Sequence, residues 1–269
     1  MKRVSRQRIH IAPVGFEIDR VVLPAVMDKA DKVYLMIHDN PSEDKATKYA
    51  AEIEKRLKAA KIKTEFISCD WRNIEEITRV TRDLILKESD NEIALNLSSG
   101  SKNHAIAMDR ACMTFKKRWN LRPFYAEAEE WHAFKFPKQM TTGVKDLKPV
   151  PTHRIIVPEP ELIKALQIIK EKGHPKKGIK KKQLAEICEN YKIIEFSSQG
   201  RNQSQVRLTT LDRNILQPLK KTWKAVHIEK VGQNHWVTLT DEGTWLYYTL
   251  YNEETFLFTE VSNLVIWAV

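Results

Sequence analysis

The chain of 269 residues has only three cysteines, Cys69, Cys112 and Cys188, and they lie far apart. No two of them have the short spacing of a zinc site, and an odd number does not suit a disulfide framework. The eight histidines are scattered, without an HExxH pairing. We therefore predict no metal site and no cofactor, and the cysteine usage favours a reducing, cytoplasmic location.

Long apolar runs are also missing from the sequence. No segment approaches the ~18 consecutive apolar residues of a membrane span, and the basic N-terminus lacks the hydrophobic core of a signal peptide. We therefore expect no membrane partner. Hydrophobic residues make up 42% of the chain and charged residues 30%, which is typical of a globular protein. The length suits two ordinary domains.

Positive charge exceeds negative charge, and the excess is concentrated. The formal net charge is +10. The stretch from Lys170 to Lys230 carries 15 basic and 6 acidic side chains, a local net charge of +9. This concentration favours a polyanionic partner, with nucleic acid ahead of a membrane surface. A charged face that is merely solvated remains the alternative.

The N-terminal half alternates apolar, strand-like segments with segments of helical periodicity. The predicted strands are Arg8–Val14, Asp31–Ile37, Lys63–Ser68, Ile93–Leu97 and Leu121–Ala128, with Trp131–Phe136 as a sixth strand or hairpin return. The predicted helices are Val21–Lys29, Glu43–Ala60, Asn73–Glu88 and one after the fourth strand. This alternation predicts an α/β fold, a Rossmann-like, doubly wound and mostly parallel sheet.

The turn after the fourth strand is the central feature of this half. It reads Ser98-Ser99-Gly100-Ser101-Lys102 and leads into a helix that Ser101 or Asn103 can cap. The free N–H groups and the positive end of the helix dipole then point into the turn, where Lys102 adds a full charge. We predict that this turn holds a phosphate-bearing ligand. A βα turn of small residues without a ligand is the alternative, because SSGSK lacks the frame of a Walker A motif.

The turn after the first strand lies at the same edge of such a sheet. If the strand order reverses between the first and fourth strands, both turns face one crevice. The first turn contains Gly15, Phe16 and Glu17 and is not a GxGxxG motif, so we predict no dinucleotide site. The predicted ligand-binding residues are Gly15, Phe16, Glu17, Ser98, Ser99, Gly100, Ser101, Lys102 and Asn103.

The C-terminal part changes character and begins after a proline-rich stretch. We predict residues 1–140 as the first domain, 141–160 as a linker and 161–269 as a second domain. The second domain should contain helices Glu161–Lys172, Lys180–Glu189 and Gln203–Lys221, a hairpin with strands at 226–230 and 235–239, and a last helix, Thr244–Tyr251. Three helices followed by a β-hairpin form a winged helix-turn-helix.

A winged helix-turn-helix places its third helix in the major groove of double-stranded DNA. In that helix Gln205, Arg207, Arg213 and Asn214 can read base edges. The lysines before the second helix would contact phosphates, and the hairpin tip would reach the backbone or the minor groove. The remaining predicted DNA contacts are therefore Lys176, Lys177, Lys180, Lys181, Lys182, Lys230, Gln233 and Asn234. Packing of this domain against another protein is the alternative.

Three stretches, taken in order, resemble one family. LNLSSGSKNHAIAMD resembles the fourth strand and ligand turn of CARF domains, the CRISPR-associated Rossmann-like sensors. IHIAPVGFEIDRVVLPAV is similar to their first strand and the loop after it, and VTLTDEG is similar to the end of many prokaryotic winged-helix regulators. The whole chain thus resembles archaeal CARF–winged-helix transcription regulators.

The resemblance implies a homodimer whose two CARF domains share one pocket for a cyclic oligoadenylate. It places the ligand on the two turns described above and implies a transcription regulator whose DNA binding responds to the ligand. The second hypothesis is that the protein is an enzyme, because some CARF proteins are ring nucleases, which cut their own ligand without a metal ion. In that case Lys102 or Ser101 would stabilise the developing charge, and His104 or His38 would be the histidines nearest the crevice. A protein-interaction adaptor is a third reading.

Overall fold

A computed structural model describes residues 6–40, 42–115, 120–132, 139–151, 156–195 and 203–251. The chain divides into two compact units, Met1–Ile156 and Val157–Val269. Each unit has its own hydrophobic core, so each is described by itself.

The first unit is built on a six-stranded sheet. Its parallel strands are β1 (Arg8–Pro13), β2 (Lys32–Ile37), β3 (Lys63–Ser68), β4 (Glu92–Asn96) and β5 (Leu121–Glu127). Two short strands, β6 (Glu130–Trp131) and β7 (Thr141–Thr142), pair with each other, and β8 (Asp146–Pro149) closes the sheet antiparallel to β5. The strand order is β3-β2-β1-β4-β5-β8. The order therefore reverses between β1 and β4, as the predicted crevice requires.

Helices cover both faces of this sheet. The helices α1 (Asp19–Met27) and α2 (Thr47–Ala59) pack on one face, and α3 (Ile74–Lys87) and α4 (Lys102–Phe115) pack on the other. Along β2, Val33 and Leu35 belong to the first core, whereas Tyr34 and Met36 belong to the second. The continuous apolar run of this strand is thus explained by burial on both faces, and the predicted doubly wound fold is confirmed.

The segment predicted as a linker differs from the prediction. Strands β7 and β8 lie inside residues 141–160, and β8 is hydrogen-bonded along β5. Both strands are short, and Pro149 ends β8 at the sheet edge, where a missing N–H group is tolerated. Strands of two and four residues leave no alternation that a sequence pattern can reveal. The boundary between the two units lies later in the sequence, between Ile156 and Val157.

The second unit contains the predicted winged helix. Its helices are α5 (Pro160–Lys172), α6 (Lys181–Asn190), α7 (Gln203–Leu211) and α8 (Asp241–Leu250), and its strands are β9 (Ile179–Lys180), β10 (Val226–Val231) and β11 (Asn234–Leu239). The hairpin β10–β11 is the wing, and β9 pairs with β11 to make a three-stranded sheet. The two-residue strand β9 was not predicted, because two residues carry no periodicity.

The third helix of this unit does not end at Leu211. It continues with wider π-helical turns through Asp212–Leu216 and Pro218–Thr222. Pro218 cannot donate the N–H group of a regular helical turn, and its ring crowds the preceding turn. The widened turns are an expected response to that proline, and they keep Leu211, Ile215 and Leu219 fully buried.

Part of the sequence prediction lies outside the described residues. Most of the proposed strand Trp131–Phe136 and the end of the predicted second domain, residues 252–269, belong to this group. Among the described residues, every helix is too short or too polar to cross a lipid bilayer.

The start of α8 gives a test of the local structure. The Thr240 hydroxyl accepts a hydrogen bond from the Gly243 N–H at 3.1 Å and donates one to the Lys224 carbonyl at 2.7 Å. We expect Thr240→Ala to lower the free energy of unfolding by about 1 kcal/mol, the usual effect of losing an N-cap. Thr209→Ala, which removes an exposed hydroxyl within α7, is the control. Equal stability of the two variants in urea denaturation would contradict the assignment of this cap.

Candidate functional site

The turns after β1 and β4 touch at the point where the strand order reverses. A Cβ atom added to Gly15 would lie 2.6 Å from the Gly100 nitrogen and 3.1 Å from the Ser99 hydroxyl oxygen. Gly100 has a φ of +75°, and a Cβ there would meet the ring of Pro13 at 2.6 Å. Both positions therefore need glycine, one for close approach and the other also for its backbone conformation.

Ser101 and His104 close the first turn of α4 on each other. The Ser101 hydroxyl accepts from the His104 N–H at 3.3 Å, and the Ser101 N–H donates to Nδ1 of His104 at 3.1 Å. Ser101 is therefore the cap that the sequence predicts. Its amide, however, is bound by the protein's own imidazole and is not available to a ligand, which corrects the prediction for this one N–H group.

The other amides of this turn remain open. The N–H groups of Ser99, Gly100, Lys102 and Asn103 make no hydrogen bond within the described part of the chain. Lys102 is exposed and forms no ion pair with any described residue. The Asn103 side chain is occupied, because it donates to the carbonyls of Trp71 and Arg72 at 3.2 and 3.3 Å. The start of α4 thus offers backbone donors and one free cation.

The start of α1, which borders the same crevice, is capped by a side chain. Oε1 of Gln139 accepts from the N–H groups of Ile18 and Asp19 at 2.8 and 2.9 Å. Because the side chain of Gln139 fills the acceptor position, no ligand is needed there. In the described structure the first turn of α1 keeps one amide without a bond, that of Arg20, whereas the turn at the start of α4 keeps four.

Glu17 was predicted as a ligand contact, but the structure buries it. Its carboxylate accepts a hydrogen bond from the Thr141 hydroxyl and lies 3.4 Å from Nη1 of Arg20. Both partners are buried as well. Glu17 therefore holds the loop together and neutralises Arg20. A carboxylate with these partners is not available to a ligand.

Arg20 has one side-chain nitrogen without a partner among the described residues. Its Nε donates to the Ala126 carbonyl at 2.8 Å, while Nη2 is buried without a partner among the described residues. The guanidinium carbon lies 4.8 Å from the ring centroid of Tyr125 and 5.5 Å from that of Trp131. The sequence does not reveal the unpartnered Nη2 or the aromatic contacts of Arg20, because the residues around this side chain come from segments about a hundred residues away.

The two remaining serines of the turn have different roles. The Ser98 hydroxyl accepts from the Ala126 N–H and so ties the turn to the end of β5. The Ser99 hydroxyl is buried at the contact with Gly15 and has no hydrogen-bond partner among the described residues. Ser98 is thus structural, whereas Ser99 keeps a free hydroxyl at the crevice.

His104 is a packing residue and holds the turn. Burial lowers its pKa from 6.5 to about 4, assisted by the nearby His38. Since Nδ1 accepts from a backbone N–H, the ring proton resides on Nε2, which lies 4.0 Å from the sulfur of Cys69. An imidazole with both nitrogens engaged is a poor general base. The geometry therefore does not support a ring-nuclease reaction in which His104 acts as the base.

The predicted DNA contacts fall on one unit and are mostly exposed. The exposed members are Lys176, Lys177, Lys180, Lys182, Gln205, Arg213, Asn214, Lys230, Gln233 and Asn234. The wing turn has Gly232 at its first central position with a φ of +62°, as a tight two-residue hairpin requires. Exposure leaves these side chains accessible to a polyanion.

Two of the predicted DNA contacts are engaged inside the domain instead. Lys181 forms an ion pair with Asp212 of the third helix, and Arg207 pairs with Glu189 of α6 at 2.8 Å. Both cations are partly buried by these contacts. They fix α6 to the third helix, so their charges are not free to read or clamp DNA.

The His104 contacts predict a pH dependence of stability. The folded-state pKa of about 4 lies below the 6.5 of an unperturbed histidine. The neutral ring therefore stabilises the fold fully above pH 6.5, and this contribution, on the order of 3 kcal/mol, is lost as the pH falls through 4. We expect His104→Asn, whose side-chain oxygen can still accept from Ser101, to flatten the loss between pH 6.5 and 4. Exposed His132→Asn is the control, and an NMR titration of His104 with a pKa near 6.5 would contradict the assignment.

Two family models match the chain. Residues 8–131 match the model described as HFX_2341_N-like, N-terminal, and residues 161–250 match the DUF6293 C-terminal winged helix domain. The second match covers the helices and the wing of the second unit. The expected order, a Rossmann-like fold followed by a winged helix, is thereby confirmed.

Similarity to individual proteins is weaker. An uncharacterized protein, MJ1513 of Methanocaldococcus jannaschii, is 28% identical over 131 residues, which are 46% of this chain and 39% of that protein. Csm6 of Enterococcus italicus, bound to cyclic hexa-2′-fluoro-hexa-dAMP, has a TM-score of 0.39 at 9% identity and is matched over 81% of this chain and 56% of its own. Can2 of Sulfobacillus thermosulfidooxidans, in complex with cyclic tetra-adenylate, has a TM-score of 0.38 at 10% identity over 90% and 63%.

These values transfer no function to this chain, which spans less than two thirds of each of the three proteins. The two family models, in contrast, cover most of its length. The N-terminal part of this chain is therefore similar to the HFX_2341_N-like family, and its C-terminal part is similar to the DUF6293 winged-helix family.

Proposed function

We propose that the protein is a ligand-responsive, DNA-binding transcription regulator. A phosphate-bearing nucleotide binds at the crevice between the β1 and β4 turns, and the winged helix binds double-stranded DNA. The observation that carries the proposal is the open N-terminus of α4, placed where the strand order reverses and next to a free lysine.

The chemistry of that turn suits a phosphate better than a neutral group. Four open N–H groups, from Ser99, Gly100, Lys102 and Asn103, lie where the helix dipole is positive. The Lys102 ammonium and the unpartnered Ser99 hydroxyl add a charge and a donor. The one carboxylate of the two turns, Glu17, is already bonded to Arg20 and Thr141, so it does not repel an anion with a free charge.

Aromatic side chains on the same unit suit the nucleobase part of such a ligand. Phe16 in the first turn is 37% exposed, and Trp131 is 61% exposed. Tyr125 and Trp131 flank the Arg20 guanidinium, whose Nη2 lacks a partner among the described residues. Stacking of a base on an aromatic ring stabilises a complex by about 1–3 kcal/mol. A nucleotide therefore matches the site better than inorganic phosphate does.

Within this class we propose a cyclic oligoadenylate as the ligand and a homodimer as the receptor. The ligand type follows from the resemblance of the two turns to CARF domains. A ring of identical nucleotides has rotational symmetry, and two copies of this crevice related by a two-fold axis can match it. Binding across two subunits then biases their relative orientation, which couples the ligand to DNA affinity.

The DNA part of the proposal is supported by the winged-helix domain and its charge. The lysines Lys176, Lys177 and Lys182 are exposed before and at the start of α6, and Lys230 is exposed near the wing tip. In the third helix Gln205, Arg213 and Asn214 are exposed to solvent, where they can contact base edges. Phosphate contacts of the lysines supply affinity, and the helix supplies sequence preference.

The ligand site predicts a charge-dependent affinity. We expect isothermal titration calorimetry to show one cyclic oligoadenylate ring per two chains. Lys102→Gln should weaken the binding at least tenfold, because a phosphate is deprived of its one full counter-charge in the turn. Arg110→Gln, two turns further along the same helix, is the matched control. Equal effects of the two substitutions, or no binding of rings of any size, would contradict the site.

The DNA site predicts a change in the salt dependence of binding. We expect the triple variant Lys176→Gln, Lys177→Gln, Lys182→Gln to bind the protein's own promoter DNA more weakly in fluorescence anisotropy. The slope of log K against log salt should become less steep by about 0.9 for each phosphate that the variant no longer neutralises. Lys55→Gln with Lys58→Gln, on α2 of the first unit, provides the control. An unchanged slope in the triple variant would remove this face from the DNA interface.

A further inference from the structure

A second cluster of polar side chains lies at the carboxyl edge of the sheet, on the strands next to the crevice. His38 and Asp39 follow β2, and Asp70 follows β3. The two strands pair in parallel with Ile37 opposite Ser68, and the Cys69 N–H donates to the Ile37 carbonyl at 2.9 Å. This register holds the three side chains beside one another, and one ligand atom from each lies within 4.8 Å of the others.

His38 is the unusual member of the cluster. It is only 3% exposed, and neither ring nitrogen makes a hydrogen bond to a described residue. Nδ1 lies 2.5 Å from Oδ1 of Asp39, but without the orientation of a hydrogen bond. Leaving a buried polar group without a partner costs free energy. An imidazole in this state, next to two carboxylates, is what a metal ion requires.

The two carboxylates keep acceptor capacity. Oδ1 of Asp70 accepts from the N–H and Nε groups of Arg72 at 2.9 and 3.0 Å, whereas Oδ2 has no bond to a described residue. Oδ1 of Asp39 accepts from the Asn40 N–H, and the Asp39 side chain is 56% exposed. The cluster can therefore be reached from solvent. Arg72 also pairs with Glu43 at 3.2 Å, and this carboxylate offsets part of the positive charge beside the site.

We propose that His38, Asp39 and Asp70 form a binding site for one divalent transition-metal ion, best matched by Zn²⁺. One imidazole and two carboxylates are a ligand set that Zn²⁺ accepts, and three protein ligands leave one position open. Bonds of about 2.1 Å place two ligand atoms on one ion at most ~4 Å apart. The three ligand atoms lie within 4.8 Å of one another, so binding of an ion would draw the side chains closer together.

The sequence gives no sign of this site. Metal-binding motifs are recognised when their ligands recur at short spacing along one segment, and here His38 and Asp70 come from different strands. The sheet register alone brings them together. The proposed site therefore departs from our expectation of no metal site, which rested on the spacing of cysteines and histidines along the chain.

The site also adjoins the turn described above. Trp71, the residue after Asp70, packs edge-on against His38 with ring centroids 6.2 Å apart. Its carbonyl accepts from the Ser101 hydroxyl and from the Asn103 side chain. An ion on Asp70 would therefore stabilise the loop that holds the start of α4. The site itself does not depend on the proposed nucleotide.

The test is Zn²⁺ binding to the full, tag-free chain after removal of metal with a chelator. We expect isothermal titration calorimetry to show one Zn²⁺ per chain, and Co²⁺ to give visible absorption bands of a site with nitrogen and oxygen ligands. Asp39→Asn changes an exposed side chain and should fold normally, and it should weaken Zn²⁺ binding at least tenfold. His38→Gln should weaken the binding more than a hundredfold.

The control is His132→Gln, because His132 also lies near a carboxylate, that of Glu130 at 3.9 Å, but on the surface and outside the cluster. Its Zn²⁺ affinity should equal that of the unmodified chain. Absence of saturable binding in the unmodified chain would overturn the proposal. An affinity that Asp39→Asn leaves unchanged would also overturn it, even if His38→Gln fails to fold.

Discussion

The close contact between two turns, one after β1 and one after β4, determines the geometry of the first unit. Gly15 and Gly100 approach each other so closely that a Cβ at Gly15 would lie 2.6 Å from the Gly100 nitrogen. This contact exists because the strand order reverses between β1 and β4, so the chain leaves the two strands in opposite directions. The start of α4 is thereby brought to the crevice with amide donors that make no hydrogen bond in the described structure.

The distribution of caps then decides which helix can bind an anion. Gln139 satisfies the first amides of α1, and Ser101 with His104 satisfies part of the first turn of α4. The N–H groups of Lys102 and Asn103 at the start of α4, and those of Ser99 and Gly100 before it, have no partner among the described residues. A helix end that the chain has only half capped, beside Lys102, is the physical basis for the proposed ligand site.

The sequence predicts the parts of this account that depend on local pattern. Three such patterns can be recognised without knowledge of the fold. The apolar run of β2 predicts a strand that is buried on both faces, and the Ser-Gly turn after β4 predicts the start of a helix. The three helices followed by a hairpin predict the winged helix. The contacts of Glu17 with Thr141, and of Ile18 with Gln139, join residues more than a hundred positions apart. No periodicity reports such pairs, so Glu17 was interpreted as a ligand contact although it is buried. The ion pair of Arg207 with Glu189 and the proximity of His38 to Asp70 could not be predicted either, because these partners are also distant in the sequence.

The most direct test of the central claim observes the amides themselves. In a ¹H–¹⁵N correlation spectrum of the labelled protein, addition of a cyclic oligoadenylate should move the signals of Ser99, Gly100, Lys102 and Asn103 downfield, as new hydrogen bonds to phosphate form. The Ser101 signal should move little, because its N–H already donates to His104. Saturating ligand that leaves the four open amides unshifted, or that shifts only residues away from this turn, would contradict the account.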